Sequence, residues 1–116
     1  MSAKVFVLFL LINLLLSCQN NIVQTYNYDQ DTPAWLKSKI DSMITSGKNY
    51  YFGTEVNRYK WKDSMLVEFN IPLSSCMLCE LYYYHGTKTD FKNDNTVLDY
   101  MNNKTDKVLI WHLSER

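Results

Sequence analysis

The chain is poor in glycine and proline, with three and two in 116 residues, so a long disordered or low-complexity stretch is excluded. It has no surplus of either charge. Twelve basic residues against twelve acidic ones leave no electrostatic footprint for nucleic acid, which shows as a basic patch or a high pI. The only close basic set is Arg58, Lys60 and Lys62, which on one strand would share a face as a small stripe on a solvated sheet. No apolar run reaches the roughly 20 residues that span a bilayer. Catalytic signatures are lacking too. Nucleophilic catalysis needs a nucleophile, a base and an orienting acid on one site, and no such pattern surrounds Ser74, Ser75, His85 or His112. Scattered acids such as Asp63, Glu68 and Glu80 do not identify a glycoside-cleaving pair. The chain therefore reads as non-enzymatic and without a cofactor.

What is present begins at the N-terminus. Behind the single charge of Lys4, Val5 to Leu16 gives twelve residues, all apolar except Asn13. That length suits the hydrophobic region of a signal peptide. The run closes on Leu15-Leu16-Ser17-Cys18, which resembles the lipobox of bacterial lipoproteins. The resemblance implies a signal peptide over 1–17, removed to leave Cys18 lipidated on sulfur as the first mature residue. An ordinary secretory site would end in an Ala-x-Ala-like pattern, which Leu16-Ser17 fits poorly. Gln19, Asn20 and Asn21 follow, with neither an aspartate after Cys18 nor an acidic run, so the expected location is the outer membrane, facing the periplasm. Cys18 to Arg116 is 99 residues, enough for one small domain. Loss of Lys4 leaves eleven basic against twelve acidic residues, a mature charge of about −1.

With Cys18 lipidated, two cysteines remain, as Cys76-Met77-Leu78-Cys79. In an oxidising compartment such a pair tends to be bonded. Thioredoxin-like proteins place this spacing at the start of a helix, where the helix N-terminus lowers a thiol pKa. Here Glu80-Leu81-Tyr82-Tyr83-Tyr84 follows and reads as a strand. A zinc site would have to recruit both His85 and His112, at no finger-like spacing. The readings left open are a local disulfide, a redox pair, two semi-buried thiols and a Cys2His2 site; no metal is expected.

Residues 18–31, rich in Asn, Gln and Tyr after the cysteine, read as a flexible tether, and 32–116 as one α+β domain. Thr32-Pro33 opens a helix, with Thr as cap and Pro in the first turn. Leu36, Ile40, Met43 and Ile44 recur at helical spacing, and Gly47 suits a left-handed cap. Glu55–Trp61 and Met65–Ile71 alternate around Lys62-Asp63-Ser64 and predict a hairpin that Pro72 stops. Glu80–His85 predicts a third strand, and Thr87–Phe91 a short fourth. Asn93–Asn95 reads as a break, and Thr96–Asn102 as a short helix. Lys107–Leu113 is apolar on both faces and predicts a strand in the middle of the sheet. The expected fold is a helix packed on a small, mostly antiparallel sheet, with a second short helix before the last strand. Exposed aromatics at Tyr82 and Tyr84 would offer a surface for a sugar or a protein; the other reading is that tyrosine simply fills a strand it suits.

The mature part resembles small lipoprotein domains found in Bacteroidetes. The likeness lies in Pro33-Ala34-Trp35-Leu36 opening a helix, Tyr59-Lys60-Trp61-Lys62 before a turn, Ser75-Cys76 ahead of Glu80-Leu81-Tyr82, and the closing Lys107-Val108-Leu109-Ile110-Trp111. Where those domains carry a segment richer in glycine and cysteine, this chain has Thr87-Lys88-Thr89-Asp90-Phe91. The resemblance implies the address and the fold, and no activity. The expected role is a membrane-anchored binding or structural module of the cell envelope, whose partner is an envelope protein or a glycan. The alternative is a periplasmic thiol–disulfide protein using Cys76 and Cys79.

Overall fold

A computed structural model describes residues 25–76 and 78–114. The leader and Cys18 lie outside the described residues. The fold is α+β, a four-stranded antiparallel sheet with helices against both faces.

A helical turn, α1 (Tyr28–Asp31), comes first. The Asn27 side chain accepts from Gln30 N at 3.1 Å and caps it. The helix α2 (Ala34–Ser46) follows, preceded by Pro33 at the cap position with no side-chain bond to the free N–H groups. Thr32, expected to cap α2, instead ends α1, and its hydroxyl meets that of Tyr26 at 2.8 Å. Gly47 closes α2 at φ 61°, the left-handed conformation that costs a side chain most and glycine least.

Strands β1 (Glu55–Trp61) and β2 (Ser64–Asn70) form the expected hairpin, in register from Glu55 opposite Asn70 to Trp61 opposite Ser64. Lys62 takes a left-handed φ of 53° at the turn. Strand β3 (Leu81–Tyr83) is shorter than expected. Thr87–Phe91 does not form a fourth strand; it returns along β3 through the single bridge of Tyr82 with Lys88. The helix α3 (Asp94–Asn103) starts earlier than predicted, because Asn93 is its cap and accepts from Thr96 N at 2.8 Å. Strand β4 (Thr105–His112) ends the domain.

The strand order is β3-β2-β1-β4. The last strand therefore lies at an edge rather than centrally, and most of its residues are exposed. Its apolar composition is that of an interior strand, but pairing partners are chosen by long-range contacts that composition does not specify.

Alternation then sorts the core into two. On one face Val56, Val67, Phe69 and Ile110 pack under Leu36, Ile40 and Met43 of α2. On the other, Trp61, Leu66 and Leu81 pack under Tyr100 of α3. Leu66 and Glu68, on the face opposite Val67 and Phe69, are also buried, because α3 covers them.

The N-terminal segment is held to the first face. The guanidinium of Arg58 sits 5.4 Å from the Tyr26 ring and 5.7 Å from that of Tyr84, and the Tyr84 hydroxyl donates to the carbonyl of Asp31. Tyr26 to Asp31, read from the sequence as the end of a tether, is thus part of the folded domain. Burial pushes the Tyr26 hydroxyl up to about 12, against the opposing bond with Thr32.

Candidate functional site

The link from β2 to β3 is the one place where the sequence suggested chemistry. Pro72 cannot donate to a ladder, so β2 ends and the chain turns, with Ser74 N donating to Ile71 O at 3.0 Å. The Ser74 hydroxyl holds both the N–H and the carbonyl of Cys76 at 3.3 Å. Cys76 and Cys79 are joined as a disulfide, their Cα atoms 5.5 Å apart. Leu78 packs inward on the second core, so the loop is pinned on one side while both cysteines stay exposed. A loop this short restricts the unfolded chain little: the chain-entropy model assigns it about 2 kcal/mol.

The disulfide separates two clefts. One, of about 380 Å³, runs from Cys76 past Pro72 and Asn70 to Gly53 and Glu55. The other, of about 130 Å³, lies between α2 and the loop, with Cys79, Ser74, Lys39, Glu80, Tyr50 and Tyr51 among its walls. Across this smaller cleft the Lys39 ammonium meets Glu80 Oε2 at 3.0 Å, and the Tyr82 hydroxyl donates to the same oxygen at 2.8 Å. Lys39 also lies 5.3 Å from the Phe69 ring and 5.0 Å from that of Tyr82. Burial opposes both charges, but the mutual bonds win. The Glu80 carboxyl is held below its ordinary range, helped by Tyr82 and Lys88. The Lys39 ammonium is held above its own, by Glu80 and Tyr82.

The pair's pH dependence follows from these directions. A depressed carboxyl contributes stability above its unfolded pKa of about 4.3, lost as pH falls through the folded value; a raised ammonium contributes below about 10.4, lost as pH rises past its folded value. Both side chains are about a third exposed, so solvent screens the pair and its contribution is about 0.5 kcal/mol. Glu80→Gln should lower the urea midpoint slightly near neutral pH and have no effect at pH values where Glu80 is already protonated. Equal destabilisation at both pH values would show that the carboxylate charge plays no part.

Tyr82 and Tyr84 are half-buried, and their hydroxyls are engaged by Glu80 and Asp31. Tyr82 lies 5.5 Å from the Trp35 ring and 5.9 Å from Phe69. The Trp35 indole donates to the carbonyl of Tyr84 at 3.0 Å and covers Gly86, where a Cβ would meet the ring at 3.3 Å. Both tyrosines help pack the sheet against α2 and remain partly exposed. Tyr83, on the other face, stacks on His85 with ring centres 5.7 Å apart.

The two histidines do not converge. His85 follows β3 at one edge of the sheet, and His112 ends β4 at the other. Three strand spacings, about 14 Å, separate those edges, so a Cys2His2 set does not assemble. Nor does the basic stripe form: Lys62 swings away to lie 4.5 Å from the Trp61 ring and 3.8 Å from Asp99.

One cluster was not legible beforehand. Glu68 Oε2 accepts from the Tyr100 hydroxyl at 2.9 Å and from Lys104 Nζ at 2.8 Å, and Lys104 lies 4.2 Å from the Tyr59 ring. Burial, then the adjacent Glu68 charge, holds the Tyr100 hydroxyl well above its ordinary range. The sequence signal was an acid among apolar strand residues, facing a helix that a lysine follows. No family model, curated protein or solved structure matches the chain.

Proposed function

We propose that this chain is a lipid-anchored domain of the bacterial cell envelope, held at the membrane through Cys18 and acting by binding or support rather than catalysis. The observation that carries the reading is the leader closing on Ser17-Cys18. The fold adds a short reach to it. Because Tyr26 is docked on the sheet, seven residues, Gln19 to Thr25, separate the anchor from the domain. Fully extended they span at most about 25 Å, so the domain would work at the membrane surface. Exposed Leu98, Met101 and Leu109 offer apolar surface of the kind that protein contacts use. Gln19 and Asn20 after the cysteine favour the outer membrane, facing the periplasm, with an envelope protein or a glycan as partner. Intact-mass spectrometry of the protein taken from membranes tests this: the expected mass is that of Cys18–Arg116 plus its acyl chains. An unmodified chain starting anywhere else would defeat it.

A second reading is supported by the exposure of the Cys76–Cys79 bond at the mouth of a cleft. An attacking thiolate can reach an exposed disulfide, as thiol–disulfide exchange requires. Equilibration in glutathione buffers separates the two. A pair reduced only below about −300 mV is structural, and one near −200 mV is poised for exchange.

A further inference from the structure

The larger cleft beside the disulfide has walls short of hydrogen-bond donors. Pro72 has no N–H to offer. The N–H of Gly53 donates to Leu113 O at 2.9 Å, and that of Phe69 to Glu80 O at 3.0 Å. The N–H of Ser74 is taken by Ile71 O at 3.0 Å, and that of Cys76 by Ser74 Oγ at 3.3 Å. The Ser74 hydroxyl in turn gives its proton to the Cys76 carbonyl. Two acceptor-bearing side chains remain, the Glu55 carboxylate and the Asn70 amide, opposite each other on β1 and β2. The interior next to them is short of donors as well. The Thr54 hydroxyl oxygen and Asn57 Oδ1 are buried without a hydrogen-bond partner, and these residues stand directly before Glu55 and two positions after it.

Charge has the same bias. Among the described residues Glu55 is the one ionisable side chain lining the cleft. It is half-buried and has no ion-pair partner among those residues; His112, opposite it on β4, forms none with it. Asn57 Nδ2 approaches its Oε2 at 3.5 Å, the long limit of a hydrogen bond. We propose that this cleft is a binding site for a small molecule carrying one primary ammonium group, with Glu55 as its counter-ion. An ammonium has N–H donors and no acceptor, the complement of these walls. One carboxylate balances one positive charge. A divalent metal would need more ligands, and no three of His, Cys, Asp and Glu come together among the described residues. An anion would face the Glu55 charge and find the N–H groups named above already engaged. The volume of about 380 Å³ is that of a small-molecule site. None of this depends on acylation of Cys18.

NMR titration of the ¹⁵N-labelled full chain in mild detergent, at constant ionic strength, tests the proposal. Ethanolamine carries the ammonium alone, glucosamine the ammonium on a hydroxylated ring, and glucose the ring without it. Both amines should move the amide resonances of Gly53, Glu55, Asn70 and Ser74, with dissociation constants of about 1 mM, and glucose should bind about tenfold more weakly or worse. Glu55→Gln keeps the shape and removes the charge, and should weaken both amines by about tenfold. Asn70→Lys offers Glu55 an ammonium from the opposite strand and should close the cleft to both. Glu80→Gln, in the neighbouring cleft, should leave binding unchanged. Absence of shifts up to about 20 mM amine overturns the proposal. So do shifts of equal size with glucose, or shifts scattered over the acidic surface instead of the cleft. Binding indifferent to Glu55→Gln, or one that survives Asn70→Lys, overturns it as well.

Discussion

Glu68→Ala should destabilise the domain by about 3 kcal/mol, because it removes the acceptor shared by a buried hydroxyl and a part-buried ammonium. Glu68 is 6% exposed, and its Oε2 is shared by the Tyr100 hydroxyl and the Lys104 ammonium. Tyr100 is wholly buried, and Glu68 is the acceptor its hydroxyl has there. Lys104 keeps some exposure and can turn its ammonium outward, so the larger share of the loss falls on Tyr100. For a domain of this size such a loss lowers Tm by about 10–20 °C. Glu68→Gln should cost less, since an amide oxygen still accepts from Tyr100. The informative comparison is the triple variant Glu68→Leu, Tyr100→Phe, Lys104→Met. It removes donors and acceptor together and should recover most of the stability, since apolar groups of similar shape can replace a buried pair at little cost. Thermal unfolding of the three proteins checks this. A Glu68→Ala domain as stable as the parent would show that the cluster is solvated and contributes little.

Cys18→Ala should abolish acylation completely, whereas a Cys76→Ala, Cys79→Ala double variant should keep it. The consequence for location is large. One acyl chain binds a membrane with a constant of about 10⁴ M⁻¹, so at about 1 mM accessible lipid roughly a tenth of the protein stays free. A second chain adds about 0.8 kcal/mol for each further methylene it buries and makes the anchoring stable. Metabolic labelling with a clickable fatty acid measures the effect directly. The parent and the double variant should carry the label, and Cys18→Ala none. Label persisting in Cys18→Ala, or absent from the parent, would remove the anchor from the proposal and with it the claim of a surface-bound domain. The fold and the disulfide described above are built from contacts among residues 25–114 and do not rest on that label.

Local features carried most of what could be read early. The apolar spacing of Leu36, Ile40 and Met43 and the glycine at 47 marked α2 to within two residues. Alternation around Lys62-Asp63 marked the hairpin, with β1 from Glu55 to Trp61 as expected. Both signals depend on neighbours a few positions apart, where backbone geometry and side-chain period are coupled. The disulfide stood among several open readings, because spacing does not reveal redox state. The structure makes it a bonded pair in a loop. Tyr82 and Tyr84 look the same in sequence whether a helix or water lies above them. Their packing with Trp35 and Phe69 depended on which face α2 would choose.

The amino-acid order alone marked α2, α3, the β1–β2 hairpin, β3 and β4, but it left α1 inside a tether and read a strand at Thr87–Phe91 that does not form. Spatial assembly settled the remainder: β4 at an edge, α3 over the second face, Tyr26 to Asp31 folded back, and Glu68 enclosed. Each of these depends on contacts between residues far apart in the chain. Glu68 and Tyr100 are 32 positions apart, and Tyr84 and Asp31 are 53. Pairings over such distances are selected by the free energy of the whole packed domain, which no local period or composition records.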